Sequence, residues 1–121
     1  MSKILIIEDD EDTAEMLGLI VDYLTIDVVS SPKVLPVSDI LAISPDLILL
    51  DHWVGSGLGG DLCFKLKSNP ATRDTPVIMV SAHNKIAQIA ERSQADAFLA
   101  KPFNLDELTD LIERFVPKPA Q

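Results

Sequence analysis

The sequence predicts an α/β fold in which one five-stranded parallel sheet carries five helices on its two faces. Short apolar runs alternate with helix-period stripes along the chain. The runs are continuous rather than alternating, the pattern of strands covered on both faces. Nearly all of them stop at a polar or charged residue, and such residues collect at one edge of a parallel sheet.

In chain order, Ile4-Leu5-Ile6-Ile7 is the first strand, ending at acids. Ala14, Leu17, Val21 and Leu24 then recur at three- and four-residue steps on one helix face. Gly18 inside that helix costs about 1 kcal/mol in propensity. Val28-Val29 is a weaker strand candidate. Between Ser30 and Ser44, Pro32 and Pro36 interrupt the chain, and Val37, Ile40 and Leu41 predict a short helix starting near Pro36. Leu47-Ile48-Leu49-Leu50 and Val77-Ile78-Met79-Val80 repeat the buried-strand pattern, and Ala97-Phe98-Leu99-Ala100 is the fifth run. Leu58, Leu62 and Leu66, with Phe64 beside them, mark a third helix, and Ile86, Ile89 and Ala90 a fourth.

Leu105, Leu108, Leu111, Ile112 and Phe115 form the clearest stripe. Asn104 with Glu107 three residues on predicts a capping box at its start, and Phe103 with Leu108 a hydrophobic staple. Pro117 and Pro119 end that helix, and 117–121 is expected to fray. Five strand–helix alternations build a doubly wound sheet. Right-handed crossovers restrict its topology. The flavodoxin-like strand order 2-1-3-4-5 is one of two common solutions.

The 121 residues fit one domain, 1–121, and 47% of them are hydrophobic, enough for a packed core. The net charge of -9 argues against direct nucleic-acid binding and against an anionic membrane surface. A single cysteine, Cys63, allows no internal disulfide and reads as a small buried hydrophobe. The start, Met1-Ser2-Lys3, lacks an apolar signal region, and no apolar run approaches the ~20 residues of a membrane span. The expected location is the cytoplasm, and the expected setting a stand-alone protein or an N-terminal domain.

Four strands bring chemistry to their carboxyl ends: Glu8-Asp9-Asp10 after the first, Asp51 after the third, Ser81 after the fourth, and Lys101 with Pro102 after the fifth. Each has an ordinary alternative: acids after a strand cap helices, and Asp, Ser or Lys-Pro are common in turns. Their occurrence in order, each at a strand end, favours one shared site. Carboxylates ~5 Å apart at an effective dielectric of ~20 repel by roughly 3 kcal/mol per pair. A hard divalent cation relieves that repulsion. Lys101 adds a positive charge and Ser81 a hydroxyl, a setting suited to phosphoryl transfer onto Asp51.

These residues resemble the receiver domain of two-component response regulators. Glu8-Asp9 after the first strand, Pro45-Asp46-Leu47-Ile48-Leu49-Leu50-Asp51, Pro76-Val77-Ile78-Met79-Val80-Ser81-Ala82 and Lys101-Pro102-Phe103 carry the resemblance, which covers Lys3 to about Phe115. It implies that Asp51 is the phosphoacceptor and that Asp9 and Glu8, with the Trp53 main-chain carbonyl, hold Mg²⁺ or Mn²⁺. It makes Ser81 the switch hydroxyl and Lys101 the partner of the phosphoryl oxygens, with a cis bond to Pro102. Phe98 stands at the aromatic switch position, with a core phenylalanine as the alternative.

The resemblance also implies a sensor histidine kinase or phosphotransfer protein as donor. A downstream protein would read the face formed by the fourth helix, fifth strand and fifth helix. Self-dephosphorylation would be the domain's own chemistry, with no external substrate. Two features depart from the family. Gly55 replaces a usual proline within a Gly-rich 55–60 loop expected to be mobile, and Pro32 to Pro36 alters the second helix's start. Neither His52 nor His83 reads as a phosphohistidine or a metal ligand, and His83 reads as a solvated turn residue. Three alternatives stay open: a phosphorylation-independent interaction module, a metal-dependent aspartyl phosphatase, and a flavin carrier that Glu8-Asp9-Asp10 would repel.

Overall fold

The computed structural model describes residues 2–54 and 57–116. The expected tail at 117–121 and part of the Gly-rich loop, Gly55 and Ser56, lie outside them. Five strands form one parallel sheet: β1 (Lys3–Ile7), β2 (Asp27–Ser31), β3 (Leu47–Leu50), β6 (Val77–Ser81) and β7 (Ala97–Ala100), in the order β2-β1-β3-β6-β7. Counting sheet strands alone, this is the expected 2-1-3-4-5. A two-stranded antiparallel hairpin, β4 (Trp53–Val54) with β5 (Gly57–Leu58), adds two strands that the expected five did not include. The helices are α1 (Glu11–Tyr23), α2 (Val37–Ile43), α3 (Gly59–Ser68), α4 (Ile86–Ser93) and α5 (Leu105–Phe115). Among the described residues no helix is long and apolar enough to cross a membrane.

Strand alternation divides the core. Ile4 and Ile6 of β1, with Leu47 and Leu49 of β3, pack with Leu17 and Val21 of α1 and Leu108 and Ile112 of α5. Their neighbours Leu5, Ile7, Ile48 and Leu50 face the other way, onto Ile40 of α2 and Leu62, Cys63 and Leu66 of α3. Met79 meets Ile86 and Ala90 of α4. Because both faces are covered, every residue of β3 and β6 is buried, and each large apolar side chain contributes about 1.5–3 kcal/mol of transfer free energy. Cys63 is fully buried and its Sγ lies 3.4 Å from the Ser93 carbonyl.

The helix ends divide into legible and illegible ones. Asn104 accepts from the Glu107 amide at 2.8 Å and Glu107 reaches back to the Asn104 amide, completing the expected capping box of α5. Asp10 caps α1 by accepting from the Thr13 amide at 3.0 Å. Pro36 occupies the N-cap of α2, where the sequence placed the start of a helix. The chain turns left-handed after three helices at Thr25, Ser44 and Gln94, with φ of 63°, 55° and 62°. None is a glycine, so no sequence signal marks these stops.

The glycines of the 55–60 segment that lie among the described residues belong to regular elements. Gly57 belongs to β5, and Gly59 and Gly60 are buried in the first turn of α3. A Cβ on Gly59 would lie well inside contact distance of the Asp51 carbonyl oxygen. Glycine is needed here for close approach of two backbones, not for flexibility.

Candidate functional site

The parallel register aligns the strand ends. Ile7 pairs with Leu50, so Glu8 and Asp51 leave neighbouring strands side by side. Ser81 pairs with Ala100, so Lys101 emerges next to Ser81. Ladder hydrogen bonds continue one residue beyond the strands: Glu8 N–H donates to the Ser31 carbonyl at 3.1 Å, Asp51 N–H to that of Ile7 at 3.0 Å, and Lys101 N–H to that of Ser81 at 2.9 Å. Each functional side chain therefore stands on a backbone fixed by the sheet.

The carboxylates of Glu8, Asp9 and Asp51 gather with one oxygen of each within 4.8 Å of the others. Lys101 Nζ comes from the far strand to within 2.5 Å of Glu8 Oε1 and 3.5 Å of Asp51 Oδ2. Glu8 and Asp51 are buried and Asp9 is exposed. Asp51 Oδ1 accepts from the Trp53 amide at 3.4 Å, drawing that residue's backbone against the pocket. The Lys101–Pro102 bond is cis, as the resemblance implied. Ser81 is fully buried, and its hydroxyl accepts from the His83 amide at 3.2 Å.

Burial pushes the Glu8 carboxyl up to about 7, and the hydrogen bond and charge of Asp51 push the same way, outweighing the nearby Lys101. Burial pulls Lys101 down, but Glu8 and Asp51 more than offset it, so its ammonium is held above its ordinary value. Glu8 and Asp51 share the Lys101 ammonium, and Asp9 adds a third oxygen donor to the same pocket. That donor set, open at Asp9, fits a hard cation such as Mg²⁺ that keeps several waters. The run of five acids also sorts itself: Asp10 caps α1, while Glu8 and Asp9 face the pocket.

Phe98 is 44% exposed on the edge strand β7, so it is not a core phenylalanine. His83 is more than a solvated turn residue, and His52 joins it in a ring cluster. Their rings meet edge to face with centroids 5.6 Å apart, and the His83 ring stacks on Trp53 at 5.4 Å. His52 is buried, and its Nδ1 accepts from the Gly60 amide at 3.1 Å. The sequence's hint of this cluster is that His52 directly follows Asp51 and His83 stands two residues after Ser81.

Residues 4–113 match the response regulator receiver domain family. The chain is 30% identical over 114 residues to the DNA-binding dual master transcriptional regulator RpaA of Synechocystis, covering 89% of this chain and 46% of that protein. It is 29% identical to the response regulator ArlR of Staphylococcus saprophyticus, covering 100% of this chain and 55% of that one. The chain thus spans about half the length of these curated relatives. Among solved structures, the receiver domain of a DNA-binding response regulator from Colwellia psychrerythraea superposes with a TM-score of 0.86 at 27% identity, over 96% of this chain and 98% of that one. With the sheet order, the gathered acids and a match spanning most of its length, this chain belongs to the receiver domains of two-component response regulators.

Proposed function

We propose that the chain is a phosphoacceptor switch in which Asp51 takes a phosphoryl group from a phosphohistidine on a sensor kinase or phosphotransfer protein. The observation that carries this reading is the Lys101 ammonium, which spans from β7 to both Glu8 and Asp51 at the edge of the three-acid cluster. An Asp51 oxygen attacks phosphorus in line, the P–N bond of the donor breaks, and the imidazole leaves with its electron pair and is protonated. The product is an acyl phosphate on Asp51.

Glu8, Asp9, Asp51 and the Trp53 carbonyl would hold Mg²⁺ or Mn²⁺, which when bound neutralises charge on the phosphoryl oxygens. Lys101 Nζ, already 3.5 Å from Asp51, moves its hydrogen bonds from Glu8 toward those oxygens. The Ser81 hydroxyl, on the neighbouring strand, gives up its bond to the His83 amide and donates to the same group. Phosphorylation adds about −1.5 to −2 charge and three acceptors. These new bonds pull on β6 and β7 and shift the populations of the face built from α4, β7 and α5, where Phe98 stands exposed. A downstream protein reads that face in the cytoplasm, with no direct nucleic-acid contact. Water hydrolyses the acyl phosphate in time, so the domain resets without acting on an external substrate.

The test is intact mass after incubation with Mg²⁺ and acetyl phosphate. Wild type gains one phosphoryl group, and Asp51→Asn gains none. Addition that survives Asp51→Asn would place the chemistry elsewhere.

A further inference from the structure

Helix α3 begins without a local cap: Leu58 occupies its N-cap and makes no side-chain hydrogen bond there. The first amides of a helix need acceptors. Both come from His52, seven and eight residues upstream. Its carbonyl accepts from the Gly59 amide at 2.8 Å, and its Nδ1 accepts from the Gly60 amide at 3.1 Å. Gly59 packs directly on the Asp51 carbonyl, with no room for a Cβ. The ring of His52 is boxed in as well, since a Cβ on Gly60 would stand 3.0 Å from Nδ1, 3.1 Å from Cε1 and 3.1 Å from Ser93 Oγ. On its other side the ring lies against Trp53, centroids 5.1 Å apart.

From this geometry we infer that His52 is a positioning residue for the cation site: by capping α3 from the end of β3, it fixes the Asp51–Trp53 backbone that presents one carboxylate and one carbonyl to the metal. The inference rests on the phosphoacceptor reading above. It acts through acceptor chemistry at one ring nitrogen, so side chains of similar bulk divide by whether they can accept.

The experiment is titration of the purified protein with MgCl₂, followed by Trp53 fluorescence, beside thermal melts in chelator. His52→Leu removes the acceptor and keeps the volume, and its Mg²⁺ midpoint rises by roughly tenfold. His52→Asn puts an amide oxygen where Nδ1 stood and restores the midpoint to within about twofold of wild type. A residue serving stability alone would lower the melt without moving the midpoint. Gly60→Ala, which crowds Nδ1, raises the midpoint as well. Gly57→Ala, whose Cβ would meet Val34 at an ordinary 3.5 Å, does not. This glycine pair carries the test if His52→Leu does not fold. A wild-type titration with no Mg²⁺ response sinks the underlying reading. A responsive wild type alongside an unshifted His52→Leu or Gly60→Ala, or a His52→Asn as weak as His52→Leu, overturns the positioning role alone.

Discussion

Glu8 shows how one residue ties the site to stability. Its carboxyl titrates at about 7 in the fold, against an ordinary value of 4.5, chiefly because it is buried beside Asp51. Between those two pH values the folded chain holds a proton that the unfolded chain has released. Stability of the metal-free protein therefore falls as pH rises from about 4.5 to about 7, then levels off. Urea denaturation in chelator across that range should show the slope in wild type and lose it in Glu8→Gln; an identical slope in the variant would assign it to another group. Thr25 is a second case. A β-branched residue at φ 63° is strained, so Thr25→Gly should raise stability by about 1 kcal/mol, read as a higher urea midpoint at unchanged slope. Neither property was visible in the sequence. The five consecutive acids announced a charged rim, but which of them capped the helix and which faced the pocket depended on where β1 stopped.

At the scale of elements, the sequence was most informative where local chemistry and packing agree. The α5 stripe, its capping box and the buried runs of β3 and β6 were all legible, because apolar period and cap residues report the same boundary. The β4–β5 hairpin was not. Each of its strands has two residues, too few for a period, and glycines at 55, 57, 59 and 60 suggested slack where Gly59 and Gly60 enter a helix. The connection from α3 to β6 hides a polar knot that spacing also could not reveal. Lys67 Nζ meets Asp96 Oδ2 at 2.6 Å and donates to the carbonyls of Thr75 at 2.8 Å and Arg73 at 3.1 Å, while Asp96 accepts from the Val77 amide at 2.7 Å. The Lys67 side chain is 7% exposed and sits at the sheet edge opposite the site. Lys67→Met strands two carbonyls and a carboxylate and should cost about 2–3 kcal/mol, measured by chemical denaturation, with Mg²⁺ affinity unchanged in the fraction that remains folded.

Across the whole molecule, one topological fact organises the chemistry: parallel strands in register bring Glu8, Asp51, Ser81 and Lys101, scattered over more than ninety positions, to a single edge. That convergence could be argued from the sequence because strand order and strand ends were both readable. The histidine-capped helix start could not, since it depends on a contact made across a hairpin. The same helix offers a way to watch the fold breathe. Cys63 is the single cysteine, fully enclosed on α3 with its Sγ against the Ser93 carbonyl of α4, and burial drives its thiol up to about 12. In the native state it should resist iodoacetamide almost completely, because it has neither access nor thiolate. Alkylation must then wait for these helices to part. Its rate, divided by that of an unstructured thiol, becomes a clock for that excursion.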